Sequence, residues 1–220
     1  MESDLNSSLQ RLGVDSVDIY WLHRDDLATP VEEILLMLEQ FRKAGKIRFA
    51  GFSNWTEARA EAARVAATTL NVEGFIASQN HWSLAEADPS KGDPTVAYID
   101  NSFIEWHRRN GVAAFAYSSQ GRGYFRRLDK GSIDDAPQAV RALYHHPVNR
   151  DRYNRIKRVQ SETGYSLGEI VLGYLLGQPF PVFAMIGSKK IEDLKDSIRD
   201  SNVELTQEQI EFLKSDQPEL

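Results

Sequence analysis

The sequence predicts an α/β fold built on parallel strands. Five short apolar segments are separated by longer amphipathic ones, and each apolar segment leads into a helical pattern. The apolar segments lack strict alternation, which is typical of parallel strands that are covered on both faces. Repeated βα units imply parallel strands joined by right-handed crossovers. Two architectures satisfy this pattern: an open doubly wound sheet, or part of a (β/α) barrel.

A helix is expected before the first strand, because Leu5, Leu9 and Leu12 form a helical stripe that ends at Gly13. The strands then follow at intervals that leave room for one helix each. An extra helix near residues 149–163 and a basic, glycine-containing loop over 120–131 fill the widest gap. The predicted strands are residues 14–22, 47–52, 74–78, 112–117 and 182–186.

Helix starts are marked by capping residues. Residues 29–32 place a capping Thr before Pro and put Glu three residues after the Thr. Either Asn54 or Thr56 starts the next helix, and the Asp-Pro pair at 93–94 starts the one after that. Ser188 is expected to cap a helix over residues 189–199.

Two further helix starts have the form of a capping box, in which a Ser or Thr is followed three residues later by Glu or Gln. These are Ser166 with Glu169, and Thr206 with Gln209.

Composition excludes several classes of protein. The 220 residues contain no cysteine and carry a net charge of −6, which disfavours a disulfide framework, a thiolate metal site or a nucleic-acid binder. His145 and His146 are adjacent and lack nearby carboxylates, so we expect no metal site there. No apolar run approaches the roughly 18 residues of a membrane span, and the polar first residues do not form a signal peptide. We expect one cytoplasmic domain over residues 1–220.

Every predicted strand ends in polar or ionisable side chains. The carboxyl ends of parallel strands lie on one side of a sheet, where α/β proteins place their sites. Repetition over five units makes this signal stronger than any single residue. The strand ends are residues 23–26 (HRDD), 53–54 (SN), 79–80 (QN), 117–119 (YSS) and 187–190 (GSKK).

Together these segments resemble the aldo-keto reductase family. The resemblance covers about residues 3–215 in the family's order, and it implies a (β/α)8 barrel that binds NADPH and reduces aldehydes and ketones by hydride transfer. The segments that carry it are SLQRLGVDSVDIYWLH (8–23), GKIRFAGFSN (45–54), ASQNHWSL (77–84), AFAYSSQGRG (114–123) and IGSKKIEDL (186–194).

The resemblance implies a role for each strand end. His23 would be the active-site histidine that orients and polarises the substrate carbonyl. Ser53, Asn54 and Gln79 would hold the nicotinamide carboxamide, because their side chains offer both donors and acceptors. Tyr117 would stack on the nicotinamide ring.

The remaining positions would contact phosphate groups of the cofactor. Ser118, Gln120 and Arg122 resemble the loop that meets the pyrophosphate, where glycines let backbone N–H groups approach. Ser188, Lys189 and Lys190 lie at a predicted helix N-terminus, which attracts anions. The two lysines favour NADPH, with NADH as the alternative.

The sequence departs from the family at its start. The family's catalytic Asp, Tyr and Lys come from three earlier βα units, roughly 90 residues at about 30 per unit, and these have no counterpart here. The expected architecture is therefore a partial (β/α)8 barrel with strands 4 to 8. Such a sheet stays open, pairs with a second copy through its open edges, or belongs to a longer product. We favour the longer product, with self-association in isolation.

Three functions follow from this interpretation. The first is an NAD(P)H-dependent oxidoreductase acting on small carbonyl compounds and incomplete in this chain. The second is a dinucleotide-binding module without catalysis, and the third is an inactive fragment. The absent tyrosine separates the second and third from the first.

Overall fold

A computed structural model describes residues 1–215 and confirms an α/β fold with parallel strands. It divides into two compact units, one from Met1 to Gln79 and one from Asn80 onward. The expectation of one domain stays a prediction, and its last residues, 216–220, lie outside the described residues. Within residues 1–215, no helix is both long and apolar enough to cross a membrane.

The first unit alternates three helices with three parallel strands. Ile19 of the first strand lies opposite Phe49 of the second, and Ser53 of the second lies opposite Gln79 of the third. The three strands therefore end at the same edge. The elements are α1 (Glu2–Leu12), β1 (Val17–Leu22), α2 (Val31–Lys43), β2 (Ile47–Ser53), α3 (Glu57–Leu70) and β3 (Ala77–Gln79).

Helical periodicity buries one side of each helix in this unit. Leu5 and Leu9 of α1 are buried, as are Leu35 and Leu38 of α2. Leu12, the third member of the predicted stripe, is 64% exposed. The strand after α1 starts three residues later than expected, because the backbone N–H of Val14 donates to the carbonyl of Leu9 and so completes the helix end.

The second unit contains two parallel strands and seven helices within its described residues. Phe115 lies opposite Phe183 across the strand pair. The elements are α4 (Asn101–Asn110), β4 (Ala113–Ala116), α5 (Tyr124–Asp129), α6 (Gln138–Tyr144), α7 (Pro147–Thr163), α8 (Leu167–Leu176), β5 (Val182–Ala184), α9 (Ile191–Asp200) and α10 (Gln207–Lys214).

Three of the predicted helix starts are confirmed. Thr56 begins α3 and accepts from the N–H of Arg59, so Asn54 is not the cap. The two capping boxes also form, at the start of α8 and of α10. In these cases the side chain that satisfies the first N–H groups lies within the same turn, and sequence spacing is sufficient to identify it.

The predicted cap at Thr29 is wrong. Pro30 is the residue before α2, and no side chain caps that helix. The Thr29 hydroxyl instead donates to the Asp26 carboxylate at 2.6 Å, and this bond together with the N–H of Ala28 lowers the pKa of Asp26. The local loop thus competes with the helix for the same hydroxyl.

The helix start predicted at residues 93–94 is also wrong. Asp93 accepts from the N–H and hydroxyl of Thr95 in a local turn, and α4 begins only after Asp100, whose carboxylate accepts from the N–H of Phe103. Residues 97–99 pair with His81 instead: the His81 N–H donates to the Ala97 carbonyl, and the Ile99 N–H donates to the His81 carbonyl. A tertiary contact therefore overrides the helical spacing.

A candidate cofactor and carbonyl site

The ends of the three strands in the first unit bring together His23, Ser53, Asn54 and Gln79. Leu22 lies opposite Phe52, so His23 follows β1 beside the end of β2, and Ser53 is paired with Gln79. Ser53 and Asn54 are buried, whereas His23 is exposed. The parallel register predicted from the sequence places these four residues at one edge.

Three hydrogen bonds link these four residues. The Asn54 amide donates to the His23 carbonyl at 3.1 Å and to Ser53 Oγ at 2.9 Å, and the Ser53 hydroxyl donates to the Gln79 carbonyl. Both amide protons of Asn54 and the hydroxyl proton of Ser53 are therefore used within the protein. The side-chain amide of Gln79 is the group suited to donate to an incoming carbonyl oxygen.

Asn54 owes its position to an uncommon backbone conformation. Its φ is +60°, in the left-handed region that Asn tolerates better than other residues with a Cβ. This turn directs the chain away from β2 and leaves the amide close to His23 and Ser53. A sequence-based reading of Asn54 as a helix cap missed this role.

A cavity of about 350 Å³ lies beside His23. Trp21, Leu22 and Trp55 contribute apolar surface to its wall, and Arg24 and Asp26 contribute charge. Trp21 lies over Gly51, where a Cβ would come within 2.4 Å of the indole ring. The absence of a side chain at this point of β2 therefore allows Trp21 to occupy its place in the wall.

Arg59 of α3 holds the loop that carries His23. Its guanidinium donates to both carboxylate oxygens of Asp25 at 3.1 Å, to the carbonyl of Thr29 at 2.7 Å and to the carbonyl of Asp26 at 3.1 Å. It also lies over the Trp55 ring at 5.2 Å. The planar guanidinium of Arg59 thus connects the loop to α3.

We expect Arg59→Lys to loosen this loop, because a lysine keeps the charge but loses the planar guanidinium. Amide hydrogen exchange of residues 23–30 should accelerate about tenfold, the equivalent of about 1.4 kcal/mol for charge-assisted hydrogen bonds that are lost. Arg64→Lys on the same helix is the matched control, since Arg64 forms an exposed pair with Glu61. Unchanged exchange of the loop in Arg59→Lys would show that Arg59 does not hold it.

In the second unit, Tyr117 follows β4 and starts a tight loop. Ser118 and Arg122 have φ values of +54° and +52°, and Gly121 and Gly123 also have positive φ. A Cβ at Gly121 would lie 2.7 Å from the Cβ of Ala85, so a larger residue would displace the loop. Within the loop, the Gly121 N–H donates to the Ser118 carbonyl at 2.7 Å and the Gly123 N–H donates to the Gln120 carbonyl at 2.9 Å.

One expectation about this loop needs correction. Residues 120–131 are not an open loop, because α5 covers Tyr124–Asp129. The Gln120 side chain donates to the Ser197 hydroxyl at 3.1 Å, so it connects the loop to α9. The first two residues of this short helix, Tyr124 and Phe125, are buried.

The charge of Arg122 influences the pKa values of a cluster of aromatic side chains formed by His81, Tyr98 and Tyr144. Burial lowers the pKa of His81, and the positive charge of Arg122 lowers it further. Burial raises the pKa of Tyr98 and Tyr144, and the Arg122 charge opposes that rise. The role in pyrophosphate binding implied for Ser118, Gln120 and Arg122 stays a prediction.

Ser188, Lys189 and Lys190 are exposed and precede α9. The expected cap at Ser188 is wrong: α9 begins at Ile191, Lys190 is the cap residue, and no side chain satisfies the first N–H groups. Ser188 is two residues too early to reach them. The two lysines therefore lie next to an uncapped N-terminus, which is an arrangement that favours anions.

Sequence reasoning missed His81, whose ring contacts Tyr117, and also Tyr98 and Tyr144, whose rings contact His81. His81 stood inside a quoted motif, but only tertiary packing brings Tyr144 to it, 63 residues later. Trp82, the next residue, is buried against Tyr174 and Phe180.

Each ring of the adjacent residues His145 and His146 contacts a neighbouring group. His145 Nδ1 lies 3.2 Å from the Tyr124 hydroxyl, and His146 Nε2 lies 3.0 Å from the Glu86 carbonyl. Across residues 1–215, no group of three or more His, Asp or Glu side chains could hold a metal ion.

Comparison with known proteins identifies relatives over nearly the whole chain. The sequence model of the aldo/keto reductase family matches residues 1–216. Aldo-keto reductase str7 of Strobilurus tenacellus is 29% identical over 210 residues, which are 93% of this chain and 59% of the relative. Aldo-keto reductase yakc of Schizosaccharomyces pombe, whose name includes NADP(+), is 26% identical and covers 94% of this chain and 58% of its own length.

A solved structure shares the fold. A thermostable aldo-keto reductase crystallised with the inhibitor epalrestat superposes with a TM-score of 0.66 at 22% identity, covering 96% of this chain and 63% of that chain. The chain thus spans less than two thirds of the length of the relatives it matches. The expectation that three βα units are missing stays a prediction.

Proposed function

Because the chain belongs to the aldo/keto reductase family, we propose that it provides the nicotinamide and carbonyl sites of an NAD(P)H-dependent oxidoreductase. The observation that carries the proposal is a set of linked hydrogen bonds, in which Asn54 donates to the His23 carbonyl and to Ser53 Oγ, and the Ser53 hydroxyl donates to the Gln79 carbonyl. This set fits the carboxamide of a nicotinamide. It leaves the side-chain amide of Gln79 as a hydrogen-bond donor for the carboxamide oxygen, next to oxygen atoms that can accept from the carboxamide nitrogen.

Each residue has a role in this proposal. Gln79 would donate to the carboxamide oxygen, and Ser53 and Asn54 would hold the strand ends in register. Tyr117 would offer the face of its ring to the nicotinamide. Bound NADPH would supply the hydride, and the exposed His23 ring would donate to the carbonyl oxygen of an aldehyde or ketone.

The preference for NADPH over NADH is part of the proposal. Lys189 and Lys190 lie beside the uncapped N-terminus of α9, where the additional phosphate of NADPH would find positive charge. The relative named for NADP(+) is consistent with this assignment.

Turnover is proposed to need further groups. The catalytic Asp, Tyr and Lys implied by the resemblance have no counterpart in the 220 residues. The residue that would donate a proton to the carbonyl oxygen, beside His23, is therefore absent from this proposal. We treat the five strands as strands 4 to 8 of a (β/α)8 barrel, which is supported by the 58% and 59% coverage of the relatives. Dinucleotide binding without turnover is the alternative.

Self-association through open sheet edges belongs to the same proposal. It is supported by the exposure of Phe183 and Met185 on and after β5, at 51% and 41%. Phe115 of the neighbouring strand stacks on Phe183 with ring centroids 4.5 Å apart, so the apolar surface extends over two strands. An exposed strand edge with apolar side chains favours pairing with another chain.

Cofactor titration of the purified chain tests the proposal. NADPH fluorescence should show saturable binding, and Asn54→Gly should weaken it by up to about thirtyfold, because two hydrogen bonds of about 1 kcal/mol each are lost. Glycine is chosen since it accepts the positive φ without strain.

Asn71→Gly is the matched control, because Asn71 has a φ of +52° but ends α3 and is not part of the set. We expect it to bind NADPH as the unchanged chain does. A chain that binds neither NADPH nor NADH would overturn the proposed function. Equal weakening in both variants would show that the Asn54 amide has no special role.

A further inference from the structure

His81 occupies a buried position among three tyrosines of the second unit. Its side chain is 3% exposed, and its Nε2 lies 2.9 Å from the Tyr144 hydroxyl. The Tyr98 ring centroid is 4.9 Å away and the Tyr144 ring centroid is 6.1 Å away. The imidazole is therefore anchored by a hydrogen bond at one end and enclosed by aromatic rings.

The third tyrosine in contact with His81 is Tyr117. The two ring centroids are 5.3 Å apart and the planes are nearly perpendicular, at 83°. This is a favourable edge-to-face geometry for aromatic groups. Tyr117 is the residue proposed to stack on the nicotinamide, so the ring that touches the cofactor would also touch His81.

Backbone contacts hold Tyr117 on both sides. Its N–H donates to the Asn80 carbonyl at 3.2 Å, and its carbonyl accepts from the Trp82 N–H at 3.2 Å. These bonds fix the backbone but leave the side-chain torsions of Tyr117 undetermined. Of the residues 80–82 that bracket it, His81 is the one whose ring meets the Tyr117 ring.

An uncharged His81 is compatible with a nicotinamide ring stacked on Tyr117. Burial, with a contribution from the Arg122 charge, lowers its pKa to about 4. The imidazole is thus neutral at pH 7, and the oxidised nicotinamide ring, which is positively charged, would meet no additional repulsion from it. Burial raises the pKa of Tyr144, so its hydroxyl stays protonated beside the imidazole.

We propose that His81 is a positioning residue that orients the Tyr117 ring for stacking on the nicotinamide, with Tyr144 as its anchor. This inference rests on the proposed function and adds a residue that the resemblance does not assign. His81 does not touch the cofactor in this proposal. It acts by restricting the torsions of Tyr117 before binding, which lowers the entropy lost when the ring is ordered.

The test compares two ligands by calorimetric titration of the purified chain. NADPH contains the nicotinamide, whereas 2′-phospho-ADP-ribose has the same phosphates and adenosine without it. We expect His81→Ala to weaken NADPH binding about fivefold, in line with an aromatic contact of about 1 kcal/mol, and to leave the affinity for 2′-phospho-ADP-ribose unchanged. Tyr144→Phe should act in the same direction, since it removes the anchor and keeps both rings.

His107→Ala is the matched control. His107 is fully buried, has a pKa lowered to about 4 and packs against Phe103 and Phe180 instead of Tyr117. It should lower stability without changing the ratio of the two affinities, which separates a positioning role from a general loss of packing.

The experiment distinguishes a failure of the proposed function from a failure of the role proposed for His81. If the unchanged chain binds neither ligand, the proposed function fails and this inference fails with it. If the unchanged chain binds NADPH and both His81→Ala and Tyr144→Phe keep its affinity, or if His81→Ala weakens both ligands equally, only the role of His81 is overturned. A selective loss of NADPH affinity in both variants supports it.

Discussion

Lowering the pH from 7 to 5 is expected to reduce the free energy of unfolding by about 4 kcal/mol. His81 and His107 have folded pKa values of about 4, compared with 6.5 for an ordinary histidine, because burial disfavours the charged ring. The unfolded chain therefore binds protons below pH 6.5 that the folded chain rejects until about pH 4. Each histidine accounts for about 2 kcal/mol of the unfolding free energy that is lost at pH 5.

Urea unfolding followed by circular dichroism at pH 7, 6 and 5 measures this loss. The stability from this source is fully present above pH 6.5 and falls as the pH decreases toward 4. His107→Gln should reduce the pH-dependent loss by about half, because one of the two groups no longer titrates. Exposed carboxylates such as Asp88 and Asp129 have lowered pKa values and titrate below this window. An unfolding free energy that is the same at pH 7 and 5 would contradict the assignment.

Trp55→Ala is expected to reduce the free energy of unfolding by about 3–5 kcal/mol, the usual cost of removing a fully buried large aromatic side chain. Trp55 is completely buried, and its ring lies 5.5 Å from Phe52 and 5.1 Å from Phe75. Arg59 lies over the same ring. The substitution would therefore leave a cavity directly beneath the loop that carries His23.

Urea unfolding at pH 7 with a far-ultraviolet signal checks this value. Val65→Ala on the adjacent helix is the control, since Val65 is 50% exposed and its truncation should change the free energy by less than about 0.5 kcal/mol. A loss below 1 kcal/mol in Trp55→Ala would mean that the aromatic cluster repacks around the gap. We also expect weaker NADPH binding, because Asn54 precedes Trp55 directly.

Much of the fold could be predicted from local sequence. The five strands were found from short apolar segments, and the capping boxes at Ser166 and Thr206 were identified from spacing alone. These features depend on atoms within one turn or one strand, so the sequence neighbours contain all the necessary information. The match of the aldo/keto reductase family model to residues 1–216 confirms the resemblance that these segments carry.

Two of the errors have a common cause. Thr29 gives its hydroxyl to Asp26, and Ile99 pairs with His81. In both cases a competing partner, local or distant, decides between two conformations that local propensity leaves close in energy. Ser188 differs, because it lies too far before α9 to cap it.

The same division applies to the candidate site. The sequence by itself determined which residue types follow each strand, and parallel pairing was enough to predict that His23, Ser53 and Gln79 share an edge. Only the tertiary structure decided how they are linked: Asn54 donates both amide protons within the protein, which leaves Gln79 to donate. It alone brought Tyr144 to His81, and His81 to the ring of Tyr117. Spacing specifies order along the chain, whereas hydrogen-bond direction and ring contacts depend on packing between segments that are far apart in sequence.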